Sequence, residues 1–310
     1  MSQYVTKIRT NDGDKQIDYN ALANLPTISN PNLLINSDFR NPINQRYGSV
    51  YEGHAARVYT IDRWCHTATD YGRTLEVCDG YIRYTNPNTE YQSFWFQQFE
   101  RTLPVDSYTI TVNVKSVTGN NVWVGNLVNG STGVEWGNSS CFNLQPGINV
   151  FTFDGECAGL YFQASISSGA ELYWVKLEQG TTSTSFAPRM FQEELHLCRR
   201  YFDSICGIRV PGVEKDLTTK TIGFSIPRTM QMRGEVRVAI LGNNVTNSTE
   251  GICVRDTAYA TLTGFTFDYE IRSWEVLVKA IYTGDFDKQC YETQLYIGDE
   301  FKLCLDAELY

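Results

Sequence analysis

The chain has 310 residues, of which 42% are hydrophobic, 20% charged and 13% aromatic, a composition typical of a globular protein and not of a disordered or fibrous one. Its 26 basic and 35 acidic residues give a net charge of −9, which argues against nucleic acid or anionic lipid as a partner. The chain has no apolar run of membrane-span length, and its polar, acidic start is unlike a secretory signal or transit peptide, so we expect a soluble protein made in a cytoplasm. At this length two domains are expected.

The first 30 residues are predicted to form an arm rather than a folded domain. Residues 11–14 have the composition of a turn, and 18–25 suits either a short helix or an extended segment. Pro26 and Pro31 bracket a linker. Because the arm has too few apolar residues to fold alone, it either packs on another chain or a larger assembly, or is disordered, as many termini are.

Residues 31–188 are predicted to consist of short strands. Apolar and polar residues alternate with the period of two that half-buried strands show, and turn residues separate the segments. The apolar positions are Tyr108, Ile110, Val112 and Val114, then Leu160, Phe162, Ala164 and Ile166, then Tyr173, Val175 and Leu177. Strands and turns that recur in this way indicate a sandwich or a barrel.

One helix is predicted between the two β-rich parts, over residues 189–207. Pro188 is placed at or near its first turn, and Phe191, Leu195, Cys198 and Phe202 recur with helical spacing. Acidic residues at 193–194 and basic residues at 199–200 match the helix dipole. We expect Gly207 to end the helix and the helix to mark the domain junction.

Residues 208–310 are predicted to form a second β domain. Three segments again alternate, and no proline follows Pro227, as long paired strands require. Their apolar positions are Val236, Val238 and Ile240, then Trp274, Val276 and Val278, then Phe301, Leu303 and Leu305. Because alternation continues to the end of the chain, we expect a C-terminal strand inside the fold.

The sequence contains none of the familiar catalytic or metal-binding motifs. Its nine cysteines are odd in number and include no Cys-x-x-Cys pair, so we expect mostly free thiols that pack as small apolar side chains. The three histidines, His54, His66 and His196, are expected to be surface or packing residues. No cofactor or metal is expected. Aspartates two apart at 12 and 14, or at 285 and 287, could hold a structural Ca²⁺, but two carboxylates are weak evidence for such a site.

A pair of carboxylates is sufficient to hydrolyse a glycosidic bond, so the acidic residues of the chain are candidates for a catalytic pair. The candidates are Glu135, Asp154, Glu156, Asp268 and Asp285. No spacing singles out two of them, and solvated acidic residues are the simpler interpretation.

Sugar binding fits the aromatic and amide content better than catalysis does. Aromatic faces stack on the C–H side of pyranose rings, while amides and carboxylates bind the hydroxyls. Residues 120–138 combine these types in Trp123, Glu135, Trp136 and Asn138. Trp123 lies in an apolar context and is expected to belong to the core, whereas Trp136 is the better surface candidate.

Seven segments of the chain carry a resemblance to a known family. They are NLLINSDFRNPINQR (32–46), YTIDRW (59–64), VKLEQGTTSTSFAPR (175–189), EELHLCRRYF (193–202), GDKQIDYNALANLP (13–26), IGFSIPRTMQM (222–232) and LCLDAEL (303–309). The segments that open and close the first domain, and the N-terminal arm, resemble those of phage and prophage tail-fibre or receptor-binding proteins with a carbohydrate-binding-module-like jelly roll. A looser resemblance extends to the tip domain, where Pro227-Arg228 stands in place of the usual Pro-Met-Arg turn.

The expected fold is mainly β, with two consecutive jelly-roll-like β-sandwich domains joined by one helix and a short N-terminal arm. Its parts are an arm for anchoring or trimerisation (1–30), a jelly-roll β-sandwich (31–188), the junction helix (189–207) and a C-terminal β tip domain (208–310). The resemblance implies a homotrimeric virion protein, assembled in a bacterial cytoplasm, that contacts other virion or tail proteins through the arm. The expected function is non-enzymatic binding of a bacterial surface glycan, without nucleic acid or membrane insertion. Two alternatives are a head-fibre or decoration protein that contacts only other virion proteins, and a glycan depolymerase or glycosidase with a carboxylate pair.

Overall fold

The computed structural model describes residues 7–10, 13–16, 30–53, 58–66, 73–87, 93–130, 133–135, 141–228, 231–232, 236–242, 252–256, 261–262, 264–272, 275–283, 293–298 and 301–307. Within these residues the chain is mainly β, every strand pair is antiparallel, and one α-helix is present. The predicted mainly β sandwich fold is confirmed. The boundaries assigned to the arm and to the domains stay predictions.

A hairpin opens the described part of the chain. Strands β1 (Lys7–Thr10) and β2 (Gly13–Gln16) pair with Thr10 opposite Gly13. Of the turn predicted at 11–14, residues 13–14 belong to β2, and residues 11–12 lie outside the described part of the chain. The segment 18–25, predicted as a helix or an extended stretch, lies outside the described residues.

Eleven strands then build a two-layered sandwich. They are β3 (Val50–Gly53), β4 (Val58–Tyr59), β5 (Cys65–His66), β6 (Arg73–Cys78), β7 (Tyr81–Asn86), β8 (Ser93–Thr118), β9 (Val122–Gly130), β10 (Gly133–Glu135), β11 (Cys141–Asn143), β12 (Gly147–Ala164) and β13 (Ser168–Gln179). Strands β8 and β12 pair along most of their length and pass from one layer into the other. The front sheet contains β4, β5, β9, β10, β11 and the segments 93–98 of β8 and 159–164 of β12. The back sheet contains β3, β6, β7, β13 and the segments 107–118 of β8 and 147–155 of β12.

An aromatic core fills the space between the two sheets. Trp64 and Trp95 stack with ring centroids 4.4 Å apart, and Phe39 lies 5.3 Å from each of them. Tyr84 of the back sheet reaches to within 6.0 Å of Trp95 of the front sheet. Because these large side chains are almost wholly buried, the sandwich gains most of its stability from this layer.

The alternation read from the sequence is right for most core positions and wrong for two. Ile166 is 38% exposed because it lies in the turn between β12 and β13. Tyr173 is half-buried and Leu172 fills the core position, because the register of β13 shifts between Leu172 and Trp174. This extra residue places Trp174 on the outer face of the back sheet, where it stacks on Phe186 at 4.4 Å.

The junction helix is shorter than its spacing pattern predicts. Helix α1 spans Phe191–Arg199, with Met190 at its N-cap, so Pro188 precedes the helix instead of starting it. Phe202 begins strand β14 (Phe202–Ile205), and Gly207 follows that strand rather than ending the helix. The helix stops early because the next residues gain backbone hydrogen bonds by pairing with a distant C-terminal strand. No helix among the described residues is long and apolar enough to cross a membrane.

Three small sheets surround a second core beyond the helix. The remaining strands are β15 (Ile208–Pro211), β16 (Glu214–Asp216), β17 (Thr221–Pro227), β18 (Arg237–Gly242), β19 (Ile252–Asp256), β20 (Thr261–Leu262), β21 (Phe265–Ile271), β22 (Glu275–Tyr282), β23 (Thr293–Ile297) and β24 (Phe301–Asp306). Their orders are β14-β24-β18, β15-β23-β19-β20 and β16-β17-β22-β21. Strand β24 is central in its sheet, which confirms the predicted C-terminal strand inside the fold, and Leu303 and Leu305 point into the core.

Polar residues of the opening segment tie the sandwich to strand β14. The Asn36 side-chain amide donates to the Ile43 and Asp62 carbonyl oxygens, each at 2.8 Å. The Gln45 amide donates to the Asp62 carboxylate and to the Phe202 carbonyl oxygen, both at 2.6 Å. Because Asn36, Gln45 and Asp62 are buried, their amides and carboxylate are committed to holding the fold together.

Gly159 allows β12 to cross from the back sheet to the front sheet. Its φ is +147°, and a Cβ at this position would lie 2.1 Å from the Gln97 carbonyl oxygen. We expect Gly159→Ala to destabilise the sandwich by about 1–3 kcal/mol, because both the backbone conformation and the neighbouring strand oppose a side chain. Urea denaturation, followed by the fluorescence of the core tryptophans, measures this loss.

Gly155→Ala is the matched control for this substitution. Gly155 lies in the same strand with a φ of +141°, but no atom of the described residues, apart from its own chain neighbours, lies within 4 Å of a Cβ at this position. The loss of unfolding free energy in the control therefore reports the cost of the backbone conformation alone, and the additional loss in Gly159→Ala reports the steric clash with the neighbouring strand. Equal losses in the two variants would contradict a steric role for the close approach to Gln97.

Candidate binding face of the front sheet

Of the four predicted sugar-binding residues, only Trp123 has a side chain that the structure describes. Trp136 and Asn138 lie outside the described residues. Glu135 is the last residue of β10, and its side chain lies outside the described part of the chain. Trp123 on β9 is therefore the residue around which the site can be built.

Trp123 lies on the outer face of the front sheet and not in the core, so the expectation that it is a core residue is wrong. Its neighbours Val122 and Val124 are fully buried in the sandwich core. Side chains of successive strand residues point to opposite faces, and Trp123 itself is only half-buried. The apolar context that suggested a core position reflects its neighbours, which do face inward.

A row of aromatic and amide side chains crosses the front sheet through Trp123. Trp123 is the register partner of Asn143 on β11 and of Gln163 on β12. Gln163 is in turn the partner of Phe94 on β8. Register partners in adjacent antiparallel strands have Cβ atoms about 4.5–5.5 Å apart, so these four side chains form a continuous strip.

A second row lies beside the first and is buried. Gly125 on β9 is paired with Cys141 on one side and with Tyr161 on the other. Tyr161 packs against Phe94 with ring centroids 6.0 Å apart, and Phe96 belongs to the same small cluster of buried residues. Because Tyr161 and Phe96 are each only 2% exposed, this row supports the half-buried Trp123 and the exposed Asn143 from one side.

The face can bind an uncharged ligand without any proton transfer. Its described side chains provide an indole ring, two amides and flanking aromatic rings, and Asn143 is exposed. The Cys141 thiol is also exposed and interacts with the Tyr161 hydroxyl, while partial burial raises the pKa of the thiol. A flat aromatic surface beside amide donors and acceptors is the chemistry that recognises a sugar ring.

Sequence reasoning missed Phe94, Asn143, Tyr161 and Gln163 as parts of this face. The signal was present, because Phe94 precedes the core residue Trp95, and Tyr161 and Gln163 flank the core residue Phe162. Alternation alone assigns these residues to the outer face. What alternation does not supply is which strands lie side by side, and that is what brings them together with Trp123.

The carboxylates considered for catalysis are spread over separate elements. Asp154 on the back-sheet part of β12 is exposed and accepts a hydrogen bond of 2.6 Å from the Ser107 hydroxyl. Glu156 lies two residues further along the same strand, and Asp268 lies on β21 beyond the helix. The side chain of Glu135 and the whole of Asp285 lie outside the described residues. Within the described part of the chain, no three His, Cys, Asp or Glu residues are grouped to hold a metal ion.

A cleft of about 300 Å³ beside α1 has a polar lining that is already engaged by protein groups. Arg189 donates to the Leu34 carbonyl oxygen at 2.9 Å and forms an ion pair with Glu194 at 3.2 Å. Glu194 also accepts the Asn36 backbone N–H at 2.5 Å. These contacts fasten the helix to the opening segment, so the cleft is a structural joint and a weaker binding candidate than the front sheet.

Comparisons with known proteins add little to this description. No protein-family model matches the chain, and no curated protein matches its sequence. The solved structure of BiXyn10A CBM1 in its apo form is similar at 12% identity, over 44% of this chain and 96% of that chain, with a TM-score of 0.28. Vicilin from hazelnut, Corylus avellana, is similar at 8% identity, over 74% of this chain and 81% of that chain, with a TM-score of 0.14. At these TM-scores neither likeness carries an argument about this chain.

Proposed function

We propose that this chain is a non-enzymatic structural protein of a virion, a tail fibre or receptor-binding protein, whose sandwich binds a glycan on the host cell surface. The sequence resemblance of the opening and closing segments motivates the virion setting. The observation that carries the binding role is the outer-face strip of Trp123, Asn143 and Gln163, which is uncharged, aromatic and rich in amides. Several copies in one particle compensate for weak individual sites, because avidity multiplies modest affinities.

Trp123→Ala is expected to lower the affinity for a glycan ligand by roughly tenfold or more, because truncating a central aromatic contact is typically among the costliest changes at a binding surface. A glycan array identifies the ligand, and titration calorimetry then compares the variant with the parent chain. Gln163→Leu is expected to weaken binding as well, since it removes an amide that hydrogen-bonds sugar hydroxyls while keeping a side chain of similar size.

Tyr81→Ala is the matched control for these substitutions. Tyr81 is a half-buried aromatic residue on the outer face of the back sheet, where the Lys115 ammonium lies 3.3 Å from its ring centroid. We expect its loss to leave glycan affinity unchanged. Equal weakening by Trp123→Ala and Tyr81→Ala would argue against the front sheet as the binding surface.

The exposed Cys141 thiol offers an independent readout of the same face. Cys141 lies two residues before Asn143 on β11 and therefore on the same face, so a sugar that covers Trp123 and Asn143 also lies close to Cys141. We therefore expect saturating glycan to slow the modification of Cys141 by a maleimide, as measured by peptide mass spectrometry. The half-buried Cys78 on the back sheet serves as the internal reference, because the glycan does not approach it.

Two further measurements separate the proposal from its alternatives. Sustained release of reducing ends from host polysaccharide would replace it with a glycan depolymerase or glycosidase. A chain that binds neither cells nor glycans, but needs residues 1–30 to join particles, would instead be a head-fibre or decoration protein.

The oligomeric state is tested separately. Sedimentation of the full chain is expected to give a mass near three times 35.2 kDa, and a monomer would contradict the proposed trimeric fibre.

A further inference from the structure

A buried arginine in the second β region makes no ion pair with the described part of the chain. Arg255 on β19 is only 8% exposed, and its Nε atom is buried without a hydrogen-bond partner. Its described side-chain contact is with the ring of Tyr296 on β23, whose centroid lies 3.8 Å from the guanidinium carbon. A cation–π contact of this kind offsets only part of the cost of removing a guanidinium from water.

The side chains around Arg255 share the outer face of the sheet β15-β23-β19-β20. Ile252, Val254, Leu295 and Ile297 of β19 and β23 point into the core. The alternate residues of these strands therefore point outward. This outer face, called the Tyr296 face below, carries Arg209, Cys253, Arg255, Thr261, Gln294 and Tyr296.

The Tyr296 face offers hydrogen-bond donors and positive charge. Arg255 is the register partner of Gln294 on one side and of Thr261 on the other, so an amide and a hydroxyl flank the guanidinium. Arg209 approaches the Tyr296 ring with its guanidinium carbon 5.6 Å from the centroid. Among the described side chains of this face, two are cationic and none is anionic, although the whole chain carries a charge of −9.

We propose that the Tyr296 face binds an oxyanion, a carboxylate or phosphate group of an anionic ligand, through Arg255. A buried guanidinium is stable when an anion is placed beside it, and its planar donors match the oxygens of carboxylate and phosphate. The Gln294 amide and the Thr261 hydroxyl supply neutral donors to the same group. This site is separate from the front sheet and does not depend on the proposed glycan-binding function.

The test is calorimetry and thermal melting of the full chain with inorganic phosphate, sodium glucuronate and glucose, all at one ionic strength set with NaCl. We expect saturable binding and a raised melting temperature with phosphate, glucuronate or both, and neither effect with glucose. Binding of phosphate alone identifies a phosphate-bearing ligand, and binding of glucuronate alone identifies an acidic sugar. Absence of saturable binding by both anions would overturn the proposal.

Arg255→Met is expected to weaken anion binding by roughly tenfold or more, since it removes a charge-assisted contact. Without anion, the variant should melt at the same temperature as the parent chain or higher, because it no longer buries an unpaired charge. A variant that melts lower and keeps its affinity for the anion would show a purely structural role and overturn the proposal.

Three further variants keep the test informative. Arg272→Met removes an exposed arginine that already pairs with Glu270 and Glu275, so anion affinity should not change. Gln294→Leu leaves Arg255 in place and should weaken anion binding, which covers the case in which the Arg255 variant does not fold. Trp123→Ala should bind the anion normally, which separates this site from the front sheet.

Discussion

Lys176→Met is expected to lower the free energy of unfolding by about 3–5 kcal/mol, the cost typical of breaking a buried ion pair from one side. The Lys176 and Glu178 side chains are 1% and 0% exposed, and their charged atoms lie 3.2 Å apart on the outer face of the back sheet. Residues 180–186 cover the pair, and the Thr184 backbone N–H donates to Glu178 at 2.9 Å. Removing the ammonium leaves a buried carboxylate without its cation.

The double variant Lys176→Met, Glu178→Leu tests the origin of this loss. Replacing both charges by apolar side chains is often neutral or stabilising, so we expect the double variant to regain most of the lost stability. Urea denaturation of the single and double variants gives the coupling energy directly. A double variant that is less stable than either single variant would show that packing, and not the unpaired charge, causes the loss.

Lys115→Met is the matched control on the same sheet. Lys115 pairs with Glu171 at 3.2 Å, but its side chain is 34% exposed. Lys115 is itself partly solvated, and Glu171 keeps its ion pair with Arg83 at 2.9 Å when the lysine is removed, so we expect a much smaller loss than for Lys176. Similar losses at the two positions would contradict the role assigned to burial.

Acid is expected to destabilise the sandwich through His66. Burial, and then the nearby Arg73 guanidinium, lower the pKa of His66 to about 3 from its ordinary value of 6.5. The folded state therefore holds this imidazole neutral, whereas the unfolded chain takes up a proton below pH 6.5. The stability contributed by the neutral ring is complete above pH 6.5 and is lost as the pH falls toward 3, at up to about 1.4 kcal/mol per pH unit.

His66→Phe is the variant that isolates this effect. The replacement keeps a ring opposite Tyr84, whose centroid lies 6.1 Å from that of His66, but removes the titrating group. Unfolding free energies measured between pH 7 and pH 4 should fall more steeply for the parent chain than for the variant. Carboxylates with lowered pKa values, such as Glu171, destabilise both chains equally at low pH.

His196→Phe is the control for His66→Phe. His196 is exposed on α1, so this variant introduces the same side chain without altering the buried ring at position 66. Equal slopes for the parent chain and His66→Phe between pH 6.5 and pH 4 would contradict the assignment to the buried imidazole.

Local alternation predicted most of the sandwich core, because a strand residue next to an inward-facing one must point outward. Ile110, Val112, Leu160 and Phe162 are all buried as the pattern indicates. The pattern failed at Tyr173, where an irregularity in β13 shifts the phase by one residue. Such a shift depends on which partner strands lie beside β13, and this information is not local.

The candidate site was harder to predict than the core. The composition of 120–138 predicts a sugar-binding segment, and the apolar neighbours of Trp123 predict a core position for this residue. The face that Trp123 joins is assembled from β8, β9, β11 and β12. Arg255 gave no signal at all in the sequence, since a single arginine in a strand is ordinarily solvated.

The composition, the alternation and the turn residues by themselves determined that this acidic chain is mainly β and that its C-terminal segment is a strand. These are consequences of local sterics and of burying one face of each strand. Only the tertiary structure decided where α1 ends, because the residues after Arg200 pair with β24, about 100 residues away. It also decided that Trp123 faces outward beside Gln163 and that Arg255 is buried without a described anion, because both facts depend on which distant strands become neighbours.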